Sequence, residues 1–187
     1  MLKRELAEAL DFAWTEGVRS DYELAFLWDG ESCVHASLAY HLRDRYLSRR
    51  RDLRIWHEVR LPEMRAHIDM IMARVNEDAF ISKQHLYDTW SDLKEEDYEI
   101  LAAIEVKNAP TTRPTRDIRK LMQLVRRKGH GILPVLVLLE GTGSSFRVWV
   151  ENACRRCEIL LLYGTGERDP TGGNWISLYE VVDSQEE

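Results

Sequence analysis

The chain has 187 residues, 44% hydrophobic and 31% charged, which excludes an intrinsically disordered segment and fits a folded domain with a full core. No apolar run reaches the roughly 20 residues needed to span a bilayer, and three cysteines, Cys33, Cys154 and Cys157, do not make a disulfide framework. The formal net charge of −6 speaks against a polyanion partner held by the whole surface, although a local basic patch remains effective because screening limits the reach of distant charge.

In chain order, Leu2 to Thr15 carries apolar residues at helical spacing (Leu2, Leu6, Leu10) and ends near Gly17. Acids in Met1 to Glu8 stand where a secretion signal would be apolar, so a cytoplasmic location is expected. Ser20 and Asp21 can cap a short second helix through Trp28, and a longer helix runs from about Glu31 to Ser48 with Val34, Leu38, Leu42 and Tyr46 as its stripe.

Arg43, Arg45, Arg49, Arg50, Arg51, Arg54 and Arg60 then outnumber Asp44, Asp52 and Glu58. The period shifts to two, so Leu53 to Leu61 and Met64 to Val75 read as strands joined at Pro62-Glu63. A tight turn there would set Arg60 opposite Arg65, Glu58 opposite His67 and Trp56 opposite Asp69. Either Glu58 pairs with His67 at the surface or it joins Asp69 on one face. Residues 76–99 form a polar, acidic insertion that includes Trp90; Trp56 and Trp90 read as packing residues.

Ile100 to Asn108 is a buried strand interrupted by two charges. After the loop Pro110 to Pro114, Thr115 can cap a basic amphipathic helix with Ile118, Leu121, Met122 and Val125 on one face and Gly129 as its stop. Against the single acid Asp117 this helix and its approach carry Arg113, Arg116, Arg119, Lys120, Arg126, Arg127 and Lys128. Ile132 to Leu139 is a strand apolar enough to be covered on both faces. A helix around Phe146, Trp149, Val150, Ala153 and Cys157 follows, then strands at Ile159 to Tyr163 and Trp175 to Val182. Cys154 and Cys157 form a lone C-x-x-C without the further ligands a structural zinc site needs. This order describes an α/β fold, a mixed sheet between helices, as one domain over 1–187 with a helical extension at 1–29.

Glu105-Val106-Lys107 carries the chemistry. Residues i and i+2 of a strand share a face, so Glu105 and Lys107 emerge together while Val106 goes to the other side. Charges in a core strand are costly unless paired or bound to a metal. Asp69 is a second lone acid inside an apolar strand. Either the three form a buried salt-bridge cluster, or they form one site in which Asp69 and Glu105 ligate Mg²⁺, the Val106 carbonyl adds a ligand, and Lys107 serves the attacking water or the charged transition state.

In these residues and in element order from Glu31 to Tyr163, the chain resembles the PD-(D/E)XK nuclease superfamily, although Ile68 stands where the family's proline would precede Asp69. The resemblance implies a restriction-endonuclease-like α/β fold with a central mixed four- to five-stranded sheet, and Mg²⁺-dependent hydrolysis (Mn²⁺ substituting) of a nucleic-acid phosphodiester, most plausibly in DNA. It assigns Asp69, Glu105 and Lys107 as the core set. It adds Glu31 as an acid on the first core helix, otherwise a first-turn acid favouring the helix dipole, and Gln123 as the polar residue on the following helix, otherwise a surface residue. Arg113, Arg116, Arg119, Lys120, Arg49, Arg50 and Arg51 would hold the phosphate backbone. A homodimer cutting both strands fits the family; a non-catalytic nucleic-acid-binding or assembly module with the same fold is the alternative.

Overall fold

The computed structural model describes residues 2–19, 21, 30–50, 52–61, 64, 66–76, 94–108, 113–139, 144–164 and 176–178. Helix α1 (Leu2–Phe12) continues into a π-helical turn, Ala13–Val18. Helix α2 spans Gly30–Arg45, followed by a 3₁₀ turn at Leu47–Arg49. Strands β1 (Leu53–Arg60), β2 (His67–Val75) and β3 (Tyr98–Asn108) precede helix α3 (Thr115–Lys128). Then come β4 (Leu133–Leu139), α4 (Ser144–Arg156), β5 (Leu160–Gly164) and β6 (Ile176–Leu178). The short second helix expected to reach Trp28 and most of the acidic insertion lie outside the described residues. Among the described residues no helix is long and apolar enough to cross a membrane.

The expected α/β architecture is present. All six strands join one sheet in the order β1-β2-β3-β4-β5-β6, antiparallel except for the parallel pairs β3–β4 and β4–β5. Among the described residues the sixth, β6, is the edge strand read at Trp175 to Val182, antiparallel to β5 and flanking the four- to five-stranded mixed sheet that the resemblance implies. Side-chain alternation sorts the core into two layers. Met70, Met72, Ile104, Val106, Val135 and Val137 pack with α1 and α2, while Ile71, Ala103, Leu136, Leu138 and Leu161 pack with α3 and α4. The stripe of α2 behaves as its spacing requires, with Val34, Leu38 and Leu42 buried. Thr115 is the first residue of α3 rather than its cap; Pro114 holds the cap position without a side-chain hydrogen bond, consistent with the fixed φ of proline at a helix start.

The β1–β2 register differs from the tight-hairpin expectation by two residues. Arg60 pairs with His67 and Trp56 with Ile71, and the ladder skips Glu58 between His57↔Met70 and Val59↔Ile68. Glu58 is exposed and has φ of 51°, a left-handed conformation costly for a residue with a Cβ. The connection is longer than Pro62-Glu63 alone, so Glu58 stands level with Asp69 rather than with His67, and its side chain is exposed.

Helix α1 and the π-helical turn after it contribute to the core. Leu6, Leu10, Trp14 and Val18 are buried in the layer that also holds β3 and β4. A Cβ at Gly17 would lie 2.3 Å from His41 Cγ, so only glycine lets this turn approach α2. Asp21 reinforces the contact: Ser37 Oγ donates to its Oδ2 at 2.8 Å, and His41 Nε2 lies 2.9 Å from the same oxygen. These ties fix the helix that carries Glu31. Trp14→Ala should therefore cost about 3–5 kcal/mol, read as a lower urea midpoint for the whole cooperative transition; a detachable extension would leave that midpoint unmoved.

Candidate active site at the fork between β2 and β3

The site begins with a parting of strands. Pairing of β2 with β3 runs from Val75↔Tyr98 to Met70↔Ile104 and ends there. Strand β2 stays with β1 as far as His67, and β3 stays with β4 as far as Asn108. Asp69 is the first residue past the last β2–β3 pair. A backbone N–H exposed in such a fork needs an acceptor; Val106 N donates to Asp69 Oδ2 at 2.8 Å. The Asp69 side chain thus replaces a missing ladder bond and is fixed in the opening.

Lys107 and Glu105 flank that carboxylate. Lys107 Nζ donates to Glu31 Oε1 at 2.9 Å and lies 3.8 Å from Asp69 Oδ2, so α2 and β3 meet across the fork. Burial works to lower the Lys107 pKa, but the hydrogen bond to Glu31 and the charges of Asp69 and Glu31 outweigh it and raise the value, keeping the ammonium charged. Glu105 is 0% exposed. Lys120 of α3 donates to its Oε2, while its Oε1 is buried with no hydrogen-bond partner. Burial first, and the Asp69 charge second, push the Glu105 carboxyl up to about 9 despite Lys120.

The expected Asp69, Glu105 and Lys107 set is brought together, with Glu31 beside it. Val106, expected to offer its carbonyl, offers its N–H to Asp69. Gln123 is exposed and lines a shallow cavity with Arg119, Met122, Arg126 and Cys157; the α3 side chain bonded to Glu105 is Lys120, three positions earlier. Lys120 was expected on the phosphate backbone and is instead engaged inside the site. Arg113, Arg116 and Arg119 are exposed, as is Arg49, whereas Arg50 is tied to Glu5 of α1 at 3.0 Å and Arg51 lies outside the described residues. Of the C-x-x-C pair, Cys154 is buried, and that burial pushes its thiol up to about 12.

Sequence reasoning missed two residues. His35 lies one helical turn after Glu31; it is 9% exposed and its Nε2 has no hydrogen-bond partner. A ring nitrogen of His35 and carboxylate oxygens of Glu31 and Asp69 all lie within 4.8 Å of one another. The signal was present as the i, i+4 pair Glu31 and His35 on one helix face. Lys120 was hidden by its basic neighbours, although it follows the inward Asp117 by three residues. Two unpartnered polar atoms, on Glu105 and His35, beside two fixed carboxylates fit a divalent cation by ligand type.

No family model matches the chain, and no curated protein matches it. A solved structure similar to it is that of Pyrococcus furiosus SfsA in complex with Ca²⁺, with a TM-score of 0.37 and 15% identity over 78% of this chain and 62% of that one. The chain therefore spans about three-fifths of that protein's length.

The raised Glu105 value sets a pH dependence with a definite sign. The folded state holds a proton that the unfolded chain releases near 4.5, so this contribution is complete below that pH and is lost as pH rises through about 9. Metal-free Glu105→Gln should gain on the wild type across that window by about 2–4 kcal/mol. Urea titrations in EDTA at pH 5, 7 and 9 read the difference; parallel stability profiles would contradict it.

Proposed function

We propose that the chain is a divalent-metal-dependent nuclease that hydrolyses nucleic-acid phosphodiesters, with DNA as the substrate. The observation that carries this reading is the convergence of Asp69, Glu105, Lys107 and Glu31 at a strand fork where a carboxylate oxygen and an imidazole nitrogen lack partners. Asp69, Glu31 and His35 would hold Mg²⁺, or Mn²⁺ with added favour from the imidazole. Such an ion, when bound, supplies Lewis-acid stabilisation of the phosphate and an acidified water.

The chain's own residues account for the rest. Asp69 is immobilised by Val106 N–H, so its orientation is set before any ligand arrives. Lys107, kept charged by Glu31 and Asp69, offers an ammonium to the oxygens of the pentacoordinate phosphorus rather than acting as a base. Outside the pocket, Arg116, Arg119, Arg126 and Arg127 line the exposed side of α3, the helix whose inner side carries Lys120. That face suits a phosphate backbone and carries no base readout. Cutting both strands of a duplex would call for a second copy of the chain.

One observation favours a rival reading. Each of the carboxylates of Glu31, Asp69, Glu105 and Asp117 lies within 4.0 Å of Lys107 or Lys120, as in a self-neutralised structural cluster on a non-catalytic nucleic-acid-binding module. Incubation with linear, circular and single-stranded DNA and with RNA, in Mg²⁺, Mn²⁺ or EDTA, separates the two. The nuclease cleaves only with metal, and Lys107→Ala lowers the rate by about 10²–10³-fold while the protein stays folded. Binding without cleavage in either ion would establish the rival.

A further inference from the structure

Lys120 has an arrangement that the proposed reaction does not by itself require. Its side chain is only 15% exposed. The ammonium donates to Glu105 Oε2, donates to the His67 carbonyl at 3.1 Å and lies 3.5 Å from Asp117 Oδ1. An ammonium has three donors and no acceptor; two of them are donated to oxygens of β2 and β3, and a third oxygen, from α3, stands at ion-pair distance. The acids would otherwise repel one another, and the chain places a permanent cation among them.

Two-metal phosphodiesterases set their ions about 3.5–4 Å apart to clamp the attacking and leaving oxygens. A carboxylate shared by two ions gives one oxygen to each. Glu105 has that division already: Oε2 belongs to the Lys120 ammonium, and Oε1, buried without a partner, is left over. On the Asp69 side Lys107 is held differently: it donates one hydrogen bond, to the half-exposed Glu31, lies 3.8 Å from Asp69, and its side chain is 30% exposed, a more open seat than that of Lys120.

We propose that the Lys120 ammonium is a resident cation standing in the place of a second metal ion, so that the chain takes a single divalent ion, on the side of Asp69, Glu31 and His35. This rests on the metal-dependent reading above. Occupancy by lysine has two consequences. The ammonium keeps its three oxygens at any ion concentration. It also ties the free arm of β2, through the His67 carbonyl, to α3 across the fork.

Calorimetric titration with Mn²⁺, together with the electron paramagnetic resonance spectrum of the loaded protein, tests the inference without reference to cleavage. The wild type should bind one Mn²⁺ per chain with the spectrum of an isolated ion. Lys120→Met, checked for folding by circular dichroism, should bind two, with the exchange coupling of a close pair. Lys120→Gln, which keeps a donor and loses the charge, replaces it should the methionine variant fail to fold. Two coupled ions in the wild type overturn the inference, as does a single ion in a folded Lys120 variant. Both outcomes leave the metal-dependent reading standing, whereas a wild type that binds no ion removes both.

Discussion

The hydrogen bond from Val106 N–H to Asp69 Oδ2 is the interaction on which the site depends. A mixed sheet whose strands separate at one end leaves backbone donors without acceptors, and a buried donor left unmade costs about 1–3 kcal/mol. Here a side chain from the departing strand supplies the acceptor. The fork is thereby stabilised and a carboxylate is fixed in its mouth. Lys107 on the other strand reaches Asp69 and, on the opposite helical layer, Glu31. The position of the sheet's split and the position of the chemistry are therefore one property of the fold.

The electrostatics follow from that geometry. Four acids, Glu31, Asp69, Glu105 and Asp117, converge on two lysines, an excess of negative charge that a low-dielectric surrounding magnifies. Protonation of Glu105 relieves it in the metal-free protein; a divalent cation would relieve it more completely. Of the two basic runs, the one after α2 is partly spent on structure: Arg50 bonds Glu5, and Arg45 lies over the Phe12 ring at 3.4 Å. The exposed side of α3 carries Arg116, Arg119 and Arg126 at the surface, and the run after α2 still exposes Arg43, Arg49 and Arg60.

Much of this was legible in the sequence because periodicity and burial cost act locally. The i, i+2 spacing of Glu105 and Lys107, and lone acids inside apolar strands, needed no knowledge of distant contacts. The stripe of α2 and the boundary of α3 at Gly129 were equally local. The β1–β2 register was not, because it depends on a longer connection and on Glu58 in a left-handed conformation, neither of which leaves a pattern in side-chain alternation. The role of Lys120 was obscured for another reason. On a helix carrying several basic side chains, only the packing of that helix on β3 decides which one turns inward. His35 follows Glu31 by four residues, a pairing visible in the sequence, but its proximity to Asp69 is a tertiary fact.

The lysines have a bearing on when the protein becomes competent. A pocket of bare carboxylates would resist folding until a cation arrived, and assembly and activation would then be one event. Here the positive charge is built into the polypeptide, so the architecture can form without an ion; on the proposed reading an ion would enter afterwards, in the place Lys107 holds beside Glu31. Newly made chains would thus be complete yet inert, with the threshold for turning on set by how readily one ammonium yields its seat to the ion.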